Sequence, residues 1–199
     1  MYIISIASAL KKIKQKIIIE FLFENEKILN QLANYDALTN LPNRAYFETV
    51  LERNYSLSKR NNTILGLAFI DLDGFKAIND TYGHHVGDFL LQEISKRFQN
   101  NIRKEDVIAR IGGDEFALAF YISNENENYE NFLNKLLYVI STPIKYTDTI
   151  NLKVSASIGV SFYSSKNKVS IKELIKQADN AMYKVKKEGK NSFFVYINN

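Results

Sequence analysis

Two glycines followed at once by two carboxylates, in the run Ala109-Arg-Ile-Gly-Gly-Asp-Glu-Phe116, leave the chain around them little freedom in how it folds. The apolar segments on either side, Val107 to Ile111 and Phe116 to Ile122, read as strands. Glycine tolerates positive φ, so Gly112-Gly113 is expected to form the two-residue turn of a β-hairpin with Asp114 and Glu115 at its tip. Acids at such a tip stay ionised at little cost and are free to bind a hard cation. An ordinary polar turn is the plain alternative, and the hairpin by itself does not exclude it.

A second stretch shifts the balance toward metal. Leu67-Ala-Phe-Ile-Asp-Leu-Asp-Gly-Phe-Lys-Ala-Ile-Asn-Asp-Thr-Tyr-Gly-His-His-Val-Gly-Asp88 opens as a buried strand and turns polar at Asp71 and Asp73, which the strand period of two puts on one face. Acids that close an apolar strand are expensive unless they bind something. Mg2+ takes one or two carboxylates and completes its shell with substrate phosphates, which suits one acid here and one on the hairpin. Gly74-Phe75-Lys76 then turns the chain into a short helix, whose backbone N–H groups and adjacent lysine form a candidate phosphate cradle.

Composition sets limits on the chemistry. The 199 residues, 46% of them apolar, suffice for one domain with a real core and an extra element. With no cysteine, disulfides, thiolate metal sites and cysteine nucleophiles are excluded, and two adjacent histidines, His84 and His85, cannot build a multi-histidine metal site. The net charge of +4 is modest, and apart from Lys11, Lys12, Lys14 and Lys16 the basic residues are scattered. Nucleic-acid binding is therefore not favoured, and a small anionic substrate accounts for the bias.

Residues 1–35 read as an N-terminal helix and linker, and residues 36–199 as the domain itself. Met1 to Leu10 is apolar but too short to span a bilayer and has no preceding positive charge, so the expected location is cytoplasmic, with no sensory domain ahead of the helix. From Lys11 to Ala33, residues Ile18, Leu22, Leu29 and Leu32 follow alternating four- and three-residue steps, with Asn25 in the missing position. Three readings stay open for this helix: a coiled-coil partner for a second copy, an amphipathic helix folded on its own domain, or, through its lysines and residues 1–20, a peripheral contact with an anionic membrane.

Beyond Asp36 the expected order is helix 43–59, strand 64–72, short helix 75–82, helix 86–101, the hairpin strands, helix 126–141, strand 150–163, helix 170–188 and a short strand 192–197. The core is β-α-β-β-α-β. This is the α+β, ferredoxin-like arrangement, an antiparallel sheet whose helices are expected on one face. A right-handed crossover makes the first two core strands parallel, which brings the end of the first beside the hairpin and Asp71 beside Asp114.

The residues now carry a family resemblance. In order along the chain stand Asp36-Ala-Leu-Thr-Asn-Leu-Pro-Asn-Arg44, the Asp71 to Asp88 stretch, Arg103-Lys-Glu-Asp106, Gly112-Gly-Asp-Glu-Phe116, Ser157-Ile-Gly159 and Ala178-Asp-Asn-Ala-Met-Tyr-Lys-Val-Lys-Lys-Glu-Gly-Lys-Asn191. Over residues 36 to 195 the chain resembles the GGDEF diguanylate cyclase domains, which implies the palm-type, nucleotidyl-cyclase-like form of this sheet. The resemblance implies condensation of two GTP molecules to cyclic di-GMP and two pyrophosphates by a homodimer, with Mg2+, or Mn2+ in its place, as cofactor. It implies Asp71, the Leu72 carbonyl and Asp114 as metal ligands, and Asp114 also as proton acceptor. Lys76 is implied to stabilise transition-state charge, Lys186 and Lys190 to approach the triphosphate, and Glu115 is a further acidic candidate without a fixed role. Many relatives carry arginine where Lys190 stands, so here a point charge replaces a forked grip.

Guanine selection is expected at Asn79 and Asp88, with His84 close by and Gly74 and Phe75 beside the phosphates. A carboxylate accepts from guanine N1–H and the exocyclic amine together, which adenine cannot offer, so Asp88 favours GTP over ATP and speaks against a mixed guanine-adenine product. In isolation Asn79 also reads as a helix cap and His84 as a turn residue, while His85 reads as exposed. Arg103 and Asp106 sit where the family binds product as an inhibitor, with a solvated charge pair as the alternative. Asp36 to Arg44 reads as structural, with Pro42-Asn43 opening a helix and the charges fixing the incoming N-terminal helix. Two classes of function remain: an active cyclase, or a silent module that binds GTP or cyclic di-GMP. Retention of Asp71, Lys76, Asp114 and Glu115 favours the enzyme.

Overall fold

The computed structural model describes residues 2–122 and 128–197, with side chains from Lys14 onward. The chain divides into two units, residues 1–35 and residues 36–199. The first is a single helix, α1 (Tyr2–Asn34), which begins well before the expected Lys11. Its spaced residues Ile18, Leu22, Leu29 and Leu32 are exposed, as are Ile17, Ile19, Phe21 and Phe23. Membrane contact through residues 1–20 falls largely on side chains outside the described residues. Among the described residues no helix is long and apolar enough to cross a membrane.

The second unit runs α2 (Arg44–Asn61), β1 (Ile64–Asp73), α3 (Phe75–Tyr82), α4 (His84–Asn101), β2 (Val107–Gly112), β3 (Glu115–Ile122), α5 (Tyr129–Ser141), β4 (Ile144–Lys145), β5 (Asn151–Leu152), β6 (Ser155–Tyr163), α6 (Ile171–Lys187) and β7 (Ser192–Val195). The main sheet has the order β2-β3-β1-β6-β7. Its first four strands pair antiparallel in the ferredoxin-like order, and β7 adds a parallel edge beside β6. Strand β1 is thereby central, and β1 and β2 run parallel with β3 between them, as the crossover argument requires.

Helices cover both faces of this sheet and not one. Ala68, Ile70 and Leu72 of β1 pack with Leu90, Leu91 and Ile94 of α4 and Leu133 and Leu136 of α5. Leu65 and Leu67 point the other way, into a cluster with Phe47 and Leu51 of α2 and Leu174 and Ala178 of α6. The physical reason lies in β1 itself: it is apolar at both parities from Leu65 to Ile70, so both of its faces must be buried.

Several boundaries differ from expectation. The strand expected over 150–163 is broken at Lys153-Val154. Its first part, β5, leaves the sheet to pair with β4 through a turn in which Thr147 Oγ1 accepts from the N–H groups of Thr149 and Ile150. Helix α4 begins at His84 because Gly83, at φ +85°, ends α3 and starts the next helix without a linker. Helix α5 begins at Tyr129 with Asn128 as N-cap, its side chain accepting from Asn131 N–H; the expected start at 126 lies outside the described residues. The segment after α1 does open a helix as read, since Asn43 caps α2 by accepting from Tyr46 N–H. The Asp36 carboxylate, however, is committed to Arg110 of β2, at 3.0 Å.

Candidate active site at the end of the central strand

The hairpin is built one residue out of step with expectation. Gly112 pairs with Glu115, which leaves Gly113-Asp114 as the turn, and the register shifts between Arg110 and Gly112. Gly113 takes φ +53°, the conformation its lack of a Cβ allows. Glu115 is therefore the first residue of β3, in register with Asp71, and only Asp114 occupies the tip. Nor is that tip a free end, because Leu72 N–H donates to the Asp114 carbonyl at 3.2 Å and clips the turn to the last residues of β1.

The resulting cleft, of about 300 Å3, is lined by Asp71, Leu72, Asp73, Gly74, Phe75, Lys76, Asp114, Lys186 and Lys190. The end of β1 supplies the acids, the turn into α3 supplies Gly74 to Lys76, the hairpin supplies Asp114, and α6 with the loop behind it supplies the lysines. Helix α6 comes close enough because β6 carries Gly159 under it. A Cβ there would lie 2.0 Å from Met182 N and 2.2 Å from the Ala178 carbonyl oxygen. Lys186 Nζ meets Asp71 Oδ2 at 2.5 Å.

Charge is unevenly balanced in this cleft. Asp114 is half-buried, and burial together with the neighbouring Asp71 pushes its pKa up, against the pull of its own N–H, Lys186 and Arg110. Burial opposes the Lys186 ammonium, but the bond to Asp71 and the charges of Glu115 and Asp114 outweigh it and hold its pKa above the ordinary lysine value. Two carboxylates that repel each other, with Leu72 lining the same cleft, fit a hard divalent cation. Among the described residues no group of three or more His, Cys, Asp or Glu gathers, so a cation held here would need further ligands from outside these side chains.

Asp73 shares the face of Asp71 but not its situation. Its carboxylate accepts from Ser157 Oγ at 2.8 Å, Ser155 Oγ at 3.0 Å and Asn191 N–H at 3.1 Å. Beyond α6 the backbone is left-handed at Gly189, Lys190 and Asn191, with φ of +119°, +62° and +48°. Asparagine accepts that region more readily than lysine, for which it costs about 1–2 kcal/mol.

Asn79, on α3, faces Gly87 of α4. Its Oδ1 is buried without a hydrogen-bond partner, and a Cβ on Gly87 would sit 1.9 Å from it. Asn79 is not a cap by its side chain; only its backbone carbonyl serves, accepting from Gly83 N–H at the helix end. Asp88 follows Gly87 and is exposed, as are His84 and His85 in the first turn of α4. The buried, unpaired Asn79 Oδ1 and the exposed Asp88 carboxylate both accept hydrogen bonds, so a ligand that donates can complete this part of the site.

Six expected residues do not line this cleft: Asn79, His84 and Asp88, on α3 and α4, and Glu115, Arg103 and Asp106. Glu115 lines a neighbouring cleft of about 370 Å3 with Arg44, Phe69 and Asp179. Arg103 and Asp106 line a separate cavity of about 70 Å3 with Tyr121 and Tyr129. Asp106 is not half of a solvated pair. It is buried, its Oδ2 accepts from Arg103 N–H at 3.0 Å, and burial raises its pKa while that bond opposes the rise. Sequence reasoning read Asp73 only as one of two acids on a face of β1 and gave no role to Gly87 or Arg110. Gly87 beside Asp88 was a visible signal of close packing, whereas nothing local marks Arg110, whose Nε donates to the Gly113 carbonyl at 2.9 Å while Nη1 holds Asp36.

Known proteins place this arrangement. The profile of the diguanylate cyclase GGDEF domain matches residues 33–192. MucR of Pseudomonas aeruginosa, a bifunctional diguanylate cyclase and cyclic di-GMP phosphodiesterase, is 37% identical over 96% of this chain and 27% of its own length. The diguanylate cyclase DosC of Escherichia coli is 34% identical over 83% of this chain and 36% of its own. The chain thus spans about a quarter to a third of these curated relatives. Among solved structures, the coiled coil and GGDEF domain of DgcB from Caulobacter crescentus, in complex with c-di-GMP, superposes with a TM-score of 0.82 at 26% identity, over 92% of this chain and 95% of that one. The GGDEF domain of YfiN (TpbB) from Pseudomonas aeruginosa gives 0.74 at 33% identity, over 81% and 99%. From its matched profile, its hairpin and the acids that its central strand brings beside that hairpin, this chain belongs to the GGDEF domain family of diguanylate cyclases.

Proposed function

We propose that the chain condenses two GTP molecules to cyclic di-GMP, each 3′-hydroxyl attacking the α-phosphorus of the other nucleotide and releasing pyrophosphate. The observation that carries this reading is the cleft in which Asp71 and Asp114 meet Lys76, Lys186 and Lys190, at the start of the helix α3 that carries the unpaired Asn79 Oδ1. Asp71, Asp114 and the Leu72 carbonyl would hold Mg2+, which supplies charge neutralisation at the phosphates and acidifies the hydroxyl. Asp114, at the tip of the hairpin, accepts the hydroxyl proton. Lys76 steadies charge on the reacting phosphate, and Lys186 and Lys190 bind the remaining phosphates. Asn79 and Asp88 take the guanine edge, with His84 beside them. Arg103 and Asp106 form a separate product site, by which accumulated cyclic di-GMP slows the enzyme.

One domain offers one such cleft, so the reaction needs two copies facing each other. The exposed Ile18, Leu22, Leu29 and Leu32 of α1 supply a heptad-spaced surface on which two copies pair. The test is incubation of the full chain with GTP and Mg2+ over a range of protein concentrations, with products separated by chromatography. The reading expects cyclic di-GMP and pyrophosphate in a ratio of one to two, specific activity that climbs with protein concentration, and progress curves that slow as product builds. GTP bound but unchanged at every concentration would make the chain a receptor and overturn the enzyme reading.

A further inference from the structure

Asp73 is a buried acid that the proposed reaction leaves without a task. Each of its contacts joins β1 to something else. Ser155 and Ser157 lie two apart on β6 and so share a face, and both hydroxyls turn to this one carboxylate. The third donor is the backbone N–H of Asn191, which closes the left-handed run that begins at Gly189. Lys190 sits inside that run, held on its other side by donation of its N–H to the Val185 carbonyl at 3.0 Å. Lysine has no local preference for such a backbone, so its place there depends on the bonds that flank it. The side chain it presents lines the cleft of Asp71 and Asp114.

We propose that Asp73 is a positioning residue that latches Asn191 to the end of β1 and thereby directs Lys190 at the triphosphate. The inference rests on the reading of this cleft as the GTP site. A carboxylate suits the latch because it only accepts, and here three donors converge on it. The amide of asparagine can still serve most of the latch. Its oxygen can face Asn191 N–H and Ser155 Oγ, which share Asp73 Oδ2, while its NH2 donates to a reoriented Ser157 hydroxyl.

The test compares Asp73→Ala, Asp73→Asn, Lys190→Ala, the double variant Asp73→Ala with Lys190→Ala, and Asn191→Pro, all in the full chain. KM and kcat are measured for GTP, and affinity for GTP and for guanosine, which has no phosphates. Asp73→Ala and Lys190→Ala should each raise KM for GTP about fivefold to tenfold, with kcat within about threefold, and the double variant should match the worse single instead of multiplying the two. Guanosine affinity should not move, and Asp73→Asn should stay within about twofold of the parent. Asn191→Pro removes the donating N–H and forbids the left-handed backbone from the loop side, so it should reproduce the KM rise even where Asp73→Ala folds poorly. A rise with Lys190→Ala but none with Asp73→Ala or Asn191→Pro, effects that multiply in the double variant, or equal loss of guanosine and GTP binding would each overturn the latch. No KM change with Lys190→Ala itself would instead remove the triphosphate reading of the cleft, and the latch with it.

Discussion

Four aspartates near one end of the sheet fall into two pairs. Asp36 and Asp73 are saturated: the first accepts from Thr39 N–H, the Thr39 hydroxyl and Arg110, the second from Ser155, Ser157 and Asn191. Burial works against the charge of Asp36, yet the Thr39 and Arg110 bonds outweigh it and bring its pKa below the ordinary carboxylate range. Asp71 and Asp114 are the reverse case. Asp71 shares one lysine, and Asp114 is pushed up by burial and by Asp71 itself. The contrast teaches that an acid's role is written in its donors: where three converge the acid is held in place, and the pair with fewer donors is the one we propose for the cation.

The largest effect expected from this contrast is on turnover. Asp114→Asn should lower cyclic di-GMP synthesis at least about a hundredfold, ~2.7 kcal/mol in barrier height. A loss under about tenfold would place Asp114 with the structural pair.

Stability should respond in the opposite sense. Asp36→Asn should destabilise the fold by about 1–3 kcal/mol in denaturant, since it removes a charge-assisted, largely buried bond to Arg110. Because the folded pKa of Asp36 is depressed, its contribution is present above the unfolded carboxylate range and is lost as pH falls through the folded value, so the penalty should vanish in acid. Asp114 carries the other sign. Its folded pKa is raised, so ionisation at neutral pH opposes folding, and metal-free Asp114→Asn should melt at or above the parent temperature, an advantage that disappears below the carboxylate range. Parallel melting curves from neutral to acid pH check both signs, and a stabilising Asp36→Asn would dissolve the distinction.

A smaller effect is expected at the base pocket. Gly87→Ala should raise KM for GTP about fivefold while leaving kcat within about twofold, because the added methyl displaces the Asn79 amide and touches no phosphate group. An unchanged KM would show that the unsatisfied Asn79 oxygen has no ligand.

Much of this was legible in the chain. The spacing of apolar runs predicted the ferredoxin-like order and brought Asp71 to the hairpin, because strand period and crossover hand are local rules with global consequences. The family resemblance set Asp71 apart from Asp73, but the strand pattern did not, since both alternate onto one face of β1 and only the third dimension supplies Ser155, Ser157 and Asn191 to one of them. The turn residues were misplaced by one because the irregularity between Arg110 and Gly112 shifts the register, which no pattern of two glycines reveals. The second helical layer was missed although the doubly apolar β1 announces it. The break after Leu152 depends on side-chain bonds from Thr147 that propensity does not encode.

The most direct test of the two-pair account is a Mn2+ titration of the full chain, followed by the loss of free-ion paramagnetic signal, at a saturating level of a non-hydrolysable GTP analogue. Parent, Asp36→Asn and Asp73→Asn should bind Mn2+ alike, while Asp71→Asn and Asp114→Asn should each weaken binding at least about tenfold, ~1.4 kcal/mol. Equal binding by all four variants, or a loss that falls on Asp73 in place of Asp71 or Asp114, would contradict the account.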